Sequence, residues 1–410
     1  MASYKLTTLE TTTVDDENQL LLIDDWTLAF HLGFSGKALW FATRHRDQLY
    51  RTFTKPKASG GVRTIHNPSP LIRVITKQIR RKMLLPQCEK LGDHVTAYRK
   101  GRGITAAAQR HLAPCETCAT RDAEHTCTFA ADENGHVRKV YPNDCVACRP
   151  VPDHKCPRRG VKVHMDLSDF FGSTRRAWIR KYFHETLGYN HFVSGMLAQL
   201  LTVTLKDASG REYAGVPQGG KASGDITNLV ADQRLDQPML KALPEGWTYS
   251  RYADDLYFSH PEDLSREEVN RMMNKARAVI RKSGYRVNEK KSHVQRAHRQ
   301  QKLLGAVLNQ KISIPKDVYR RMRALLRTCW RDGFEPVAIK MGKSGGPELQ
   351  GWIEGKLAYF SSISPNRMRD LKARYELAKA KHPEGSEMSF TFESSPEQRF
   401  EAAMKKASGT

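Results

Sequence analysis

The sequence predicts an α+β fold that carries a small, metal-stapled insertion, and three observations predict it. Val161-Lys-Val-His-Met165 alternates like a strand, and two β-rich runs flank the turn Ala253-Asp254-Asp255 as a hairpin. From Pro315, the residues Val318, Met322, Leu325, Leu326, Cys329 and Trp330 recur along one face of a helix. Six of the eight cysteines fall between 115 and 156, paired with histidines in a pseudo-repeat. At about 150 residues per domain, 410 residues make two or three domains.

Along the chain, residues 1–24 read as a flexible N-terminus without the basic-then-apolar layout of a signal peptide, which points to a cytoplasmic protein. The longest mostly apolar run, Val193–Leu205, is too short and interrupted to cross a bilayer, so no membrane partner is expected. Residues 25–111 read as helices interrupted by the Gly60-Gly61 turn. The insertion at 112–160 reads Cys115-x2-Cys118-x6-His125-x-Cys127, then Cys145-x2-Cys148-x5-His154-x-Cys156. Thiols stay reduced in the cytosol, so the pattern suggests metal rather than disulfides. A CxxC turn lets two thiolates converge on a tetrahedral zinc ion. The spacing permits two Cys3His sites, or one all-cysteine site from the CxxC pairs with Cys127 and Cys156 outside it. Such zinc would be structural, since full Cys/His ligation leaves no open position for a substrate. Cys88 and Cys329 stand in apolar surroundings and read as core. Residues 161–312 hold the strands and carboxylates, with Ser223 expected to cap the helix carrying Ile226, Leu229 and Val230. A basic helical region follows at 313–382, and 383–410, rich in Ser, Glu and Lys, reads as a flexible tail.

The formal charge is +23, and most of it sits in one place. Between Arg271 and Arg331 there are 18 basic residues against two acids, Glu289 and Asp317. A chain this basic suits a polyanion, and nucleic acid is the expected partner. Arg320, Arg321, Arg323 and Arg327 line the helix after Pro315 and are the candidate phosphate contacts.

Against this basic background stand Asp166, at the end of the first strand, and Asp254 and Asp255, at the hairpin tip. Three carboxylates on neighbouring strands suit two divalent ions, and oxygen ligands of this kind suit magnesium. Asp169 reads as a helix cap rather than a ligand.

These boxes resemble the reverse transcriptases. Tyr252-Ala-Asp254-Asp255 matches the family's YADD box, and Asp166 with Phe170-Phe171 matches its first aspartate and following aromatics. Gly215-Val-Pro217-Gln218-Gly219-Gly-Lys-Ala-Ser223-Gly-Asp-Ile-Thr-Asn228 matches PQGxxxSPxxxN, with Gly224 in place of proline. Lys55-Pro56-Lys57-x3-Gly61-x-Arg63-x-Ile65 and Val95-x-Ala-Tyr98-Arg99-Lys100-Gly101-Arg102-Gly103-Ile104 resemble the fingers boxes. Asn288-x-Lys290-Lys291 resembles the lysine-bearing turn after the hairpin, and Leu303-Leu304-Gly305 falls at the primer grip. The resemblance implies a right-hand polymerase with fingers, a ferredoxin-like palm and a helical thumb, using two magnesium ions for RNA-directed DNA synthesis. It implies catalysis by Asp166, Asp254 and Asp255, and triphosphate contacts from Lys57 and Arg63. Phe171 would be the steric gate against a ribose 2′-OH, with Phe170 packing on the opposite face of an extended chain by alternation; Gln218 would line the nucleotide pocket, and Lys290 or Lys291 would assist the leaving pyrophosphate.

The chain is most similar to bacterial retron enzymes, through Leu28-Ala-Phe-His-Leu32-Gly33-Phe-Ser and through Ala107-Ala108-Gln109-Arg110-His111, which resembles their NAxxH box. That likeness implies a structured noncoding RNA as template and primer, deoxynucleoside triphosphates as substrates, an RNA-linked DNA product, and antiphage defence beside an effector protein. Diversity-generating, intron-related and abortive-infection enzymes, or an idle RNA-binding protein of the same fold, stay open at this point.

Overall fold

The computed structural model describes residues 24–56, 60–113, 115, 128–131, 137–140, 160–207, 209–309 and 311–383. It divides into two compact units: Met1–Cys115 with Lys155–Lys311, and Glu116–His154 with Ile312–Thr410.

The first unit opens with α1 (Asp25–Leu32), started by a capping box in which the Asp24 carboxylate accepts from Thr27 N at 2.8 Å and Asp24 N donates to the Thr27 hydroxyl. Helix α2 (Gly36–Arg44), capped by Ser35, follows. Strands β1 (Tyr50–Pro56) and β2 (Val62–Pro68) form a hairpin in which Lys55 lies opposite Arg63. Helix α3 (Pro70–Ile79) buries Ile72, Ile75 and Ile79 and runs through a π turn into α4 (Leu85–Glu89). Next comes α5 (Ile104–Arg110). Within the insertion, β3 (Thr128–Ala131) pairs antiparallel with β4 (Val137–Val140) and belongs to the second unit.

The first unit resumes with β5 (Lys162–Leu167), α6 (Phe170–Ser173), α7 (Arg176–Lys181), α8 (His191–Leu200) and the hairpin of β6 (Val203–Lys206) and β7 (Glu212–Gly215). Then come α9 (Ser223–Ala231), α10 (Gln237–Ala242), β8 (Thr248–Tyr252), β9 (Asp255–Ser259), α11 (Arg266–Lys282) and β10 (Val287–Gln295). A short hairpin, β11 (Lys302–Leu303) with β12 (Ala306–Val307), ends this part.

The sheet order is β10-β5-β9-β8, antiparallel throughout. With helices between β5 and β8 and α11 between β9 and β10, this is the βαββαβ ferredoxin-like arrangement that the resemblance implies. Helix α11 explains its own placement: Val269, Met272, Met273, Ala276 and Ile280 form one buried stripe, packed with Val163, Met165, Leu256 and Phe258 of the sheet. A second core joins α1, α2, α3 and α8 to Ile226, Leu229 and Val230 of α9.

The second unit contains α12 (Lys316–Asp332), α13 (Phe334–Lys340), α14 (Gly346–Ile363) and α15 (Pro365–Lys381). Helix α12 buries Met322, Leu326 and Cys329, as its periodicity predicts, and Asp370 of α15 is buried where Tyr319, Arg323 and Arg374 converge.

Three expectations need revision. Ser223 does not cap α9; Ala222 holds that position, and the Ser223 hydroxyl donates to Pro217 O at 2.7 Å, bracing the preceding turn. Phe170 and Phe171 do not alternate on a strand but share the short helix α6, with Phe170 buried and Phe171 partly buried. Asp169 does hold the N-cap position of α6, but in the left-handed region at φ 47° and without a side-chain capping bond; its carboxylate accepts from Tyr213 OH at 3.2 Å. Cys118, His125, Cys127, Cys145, Cys148, His154 and Cys156 lie outside the described residues; Cys115 is described and is partly buried. Cys88 and Cys329 are buried, in keeping with core roles.

Candidate active site

Asp166 and Asp255 face each other in the β5–β9 register, and Asp254 sits in the turn beside them. Tyr252 pairs with Asp255 to close the ladder, which leaves Ala253-Asp254 as a two-residue hairpin turn. Ala253 takes φ 55°, a position where glycine is usual in such turns, at a cost of roughly 1–2 kcal/mol. The turn is tied down from outside: Asp254 O accepts from Leu167 N at 2.8 Å, and Arg251 Nη1 donates to Ala253 O.

Arg251 is fully buried and binds both Asp236 oxygens, with Nη2 at 2.7 Å, and also donates to Asn228 Oδ1 at 2.8 Å. Removing either member of a buried ion pair typically costs about 3–5 kcal/mol, so this hub locks β8 to α9 and to the turn before α10. His94, Asp232 and Asp236 gather here with ligand-type atoms within 4.8 Å of one another. The group already holds a cation of its own, because the Asp236 oxygens accept from Arg251 and from Tyr249 OH.

At the aspartates the electrostatics are the reverse. Burial and the negative charges of Asp255 and Asp166 raise the Asp254 pKa, and Lys291 offsets this only in part. Lys291 Nζ donates to Asp166 Oδ2 at 3.0 Å, and this bond holds the lysine pKa above its ordinary value. The lysine paired with Asp166 is therefore Lys291, and it is exposed like its neighbour Lys290. The cause is a bulge: β10 is in register with β5 at Asn288↔Asp166 and again at His293↔His164, with irregular backbone between. Bulges beside active sites re-aim side chains, and this one brings Lys291 to Asp166.

No motif in the sequence singles out His164. Its Nε2 lies 2.7 Å from Asp255 Oδ1, and its ring stacks on Tyr257 at 4.8 Å. The signal was the strand period, which puts His164 and Asp166 on one face of β5. Tyr257 OH in turn accepts from Leu304 N, which links the β11–β12 turn to β9.

Arg63 is exposed on β2, and Lys57 lies outside the described residues. Gln218 is partly exposed, with its carbonyl accepting from His66 N at 2.8 Å, so the fingers hairpin holds the Pro-Gln-Gly turn. Phe171 lies against Phe170 and Tyr98. In the second unit Arg320, Arg321, Arg323 and Arg327 are exposed on α12; Arg321 pairs with Asp317 and Arg323 approaches Asp370. No helix among the described residues is long and apolar enough to cross a membrane.

Residues 55–308 match the reverse transcriptase (RNA-dependent DNA polymerase) family. The chain is similar to the retron Mx65 reverse transcriptase of Myxococcus xanthus, 27% identical over 343 residues, covering 81% of this chain and 65% of that protein. It is also 28% identical over 386 residues to the retron Mx162 reverse transcriptase of the same organism, covering 85% of this chain and 65% of the relative. The chain thus matches just under two thirds of the length of these relatives. The solved apo telomerase of Candida tropicalis aligns over 84% of this chain and 61% of that chain, at 12% identity and a TM-score of 0.40. With the palm topology in place and the family match spanning more than half of its residues, the chain belongs to the reverse transcriptases.

Proposed function

We propose that the chain is an RNA-directed DNA polymerase of the retron kind, which copies a structured noncoding RNA into single-stranded DNA joined to that RNA. The observation that carries this is the convergence of Asp166, Asp254 and Asp255, with the Asp254 pKa raised by burial and by its neighbours' charge. Three carboxylates against a single lysine leave negative charge to be balanced, and this donor set fits two magnesium ions. Such ions supply activation of the attacking hydroxyl and charge for the leaving pyrophosphate.

The chain's own residues do the rest. Asp166, Asp254 and Asp255 hold the cations, and Lys291 offers a proton beside the departing pyrophosphate. Arg63 and Lys57 meet the triphosphate, Gln218 lines the nucleotide pocket, and Phe171 excludes a 2′-OH. Exposed arginines on α12 grip the RNA and the growing duplex. The likeness to the retron enzymes supports priming from a 2′-OH within the RNA, cytoplasmic action, and antiphage defence with an effector protein. The Cys/His repeat supports one or two structural zinc ions in the insertion.

Asp254→Asn should abolish deoxynucleotide incorporation while leaving RNA binding and the thermal midpoint near wild type. Primer extension and filter binding on one preparation check this, and retained synthesis would refute the assignment. Sequencing nucleic acid co-purified from the native locus tests the retron reading, which expects a joined RNA–DNA molecule.

A further inference from the structure

Tyr98 combines features that the polymerase reading does not use. It is half exposed, yet its backbone sits at φ 57°, a strained region for a side chain of this size. The loop before it is anchored on several sides. Val95 bridges to Arg251 at the edge of β8, Thr96 N donates to Arg251 O at 3.0 Å, and Asn228 Nδ2 donates to Ala97 O at 2.8 Å. The side chain of Asn228, the last residue of the PQG box, thus holds the peptide next to Tyr98.

The ring lies across the start of α9. A Cβ placed on Gly224 would come within 2.5 Å of Tyr98 Cγ and 2.7 Å of Cδ2, close to the root of the side chain, where it cannot swing aside cheaply. Glycine at 224, where the family box has proline, is what lets the ring occupy this place. On its other side Tyr98 meets Phe171 edge-on, with centroids 6.1 Å apart and planes at 61°. Phe171 also meets Phe170, which is rooted in the palm core, at 5.8 Å and 64°. The Asp254 carboxylate adds to burial in raising the Tyr98 pKa while Arg63 draws it down, so the ring lies within the fields of both the aspartates and the fingers hairpin.

We propose that Tyr98 is a positioning residue for sugar discrimination: seated on Gly224, its ring holds Phe171 against the pocket that receives the sugar of a nucleoside triphosphate. The inference rests on the polymerase reading above. A gate works by being unable to yield, and an aromatic ring held on one side only can tilt out of the way of a 2′-OH. The strain at Tyr98 is the cost of closing that second side.

The test is single-nucleotide extension of a primed RNA template by the full chain, comparing kcat and KM for a deoxynucleotide and its ribonucleotide. Tyr98→Ala should lower the preference for the deoxynucleotide by roughly tenfold, mainly through a lower ribonucleotide KM. Tyr98→Phe should retain wild-type discrimination, because the ring rather than the hydroxyl does the bracing. Gly224→Ala should shift discrimination as Tyr98→Ala does, by displacing the ring without removing it. Phe171→Ala serves as reference for an open gate. Wild-type discrimination in both Tyr98→Ala and Gly224→Ala, with Phe171→Ala relaxed, would overturn the proposal and leave the polymerase reading standing. A wild-type protein that extends with neither nucleotide would overturn the polymerase reading, and this inference with it.

Discussion

Among single residues, the two adjacent lysines after the palm hairpin give the sharpest contrast. The motif by itself does not choose between Lys290 and Lys291, and strand alternation would put them on opposite faces. The ion pair at 3.0 Å chooses Lys291. Lys291→Gln should lower kcat for incorporation by about 10²-fold, the lower end of what a positioned proton donor contributes. Lys290→Gln should stay within about twofold of wild type in the same assay. Equal losses in the two variants would mean that the bulge does not assign the role. His164 teaches the converse lesson. An isolated histidine in an apolar strand reads as core, and only the fold brings Asp255 within 2.7 Å of it.

At the scale of elements, the β8–β9 hairpin is fixed both at its tip and near its base. At its tip the strained Ala253 turn is fixed by Arg251 and by β5. Near its base His111 is buried against one face of both strands, with Nδ1 2.7 Å from Ser259 Oγ and Nε2 2.7 Å from Ser250 Oγ. This gives the histidine of the NAxxH-like box a structural job. Burial, with Lys162 and Arg110 nearby, pushes its pKa down to about 3. The unfolded chain therefore binds a proton at this site near pH 6.5 that the folded chain refuses until about pH 3. Stability from this group is intact above pH 6.5 and falls as pH drops toward 3, by at most about 1.4 kcal/mol per pH unit. Urea midpoints at pH 7 and pH 5 should differ less in His111→Asn than in wild type, although the variant starts lower. An undiminished difference would place the acid sensitivity in other groups.

For the whole molecule, the +23 charge is the property that reaches beyond any one site. Its densest stretch runs from α11 through β10 into α12, but the structure divides its arginines into engaged and unengaged ones. Arg321 and Arg323 face Asp317 and Asp370, whereas Arg320 and Arg327 are exposed on α12 with no acidic partner among the described residues. If these two contact phosphate, replacing both by glutamine should reduce the slope of log affinity against log salt by about 1.5. Fluorescence anisotropy with a structured RNA across a salt series measures it. An unchanged slope would mean that the RNA does not follow α12.

The sequence by itself determined the strands of the central sheet, the amphipathic helix α12 and the positions of the three aspartates. Each of these depends on short-range pattern: alternation, helical period, and carboxylates at strand ends. Tertiary structure alone decided what those aspartates face, because partners about 90 residues away or more leave no local trace. Lys291 over Lys290 depends on a bulge, His164 on a cross-strand neighbour, and Tyr98 on a glycine 126 positions later in the chain. Sequence pattern also misjudged Ser223 and the Phe170-Phe171 pair, since a hydroxyl's partner and a helical turn were settled by packing rather than by propensity.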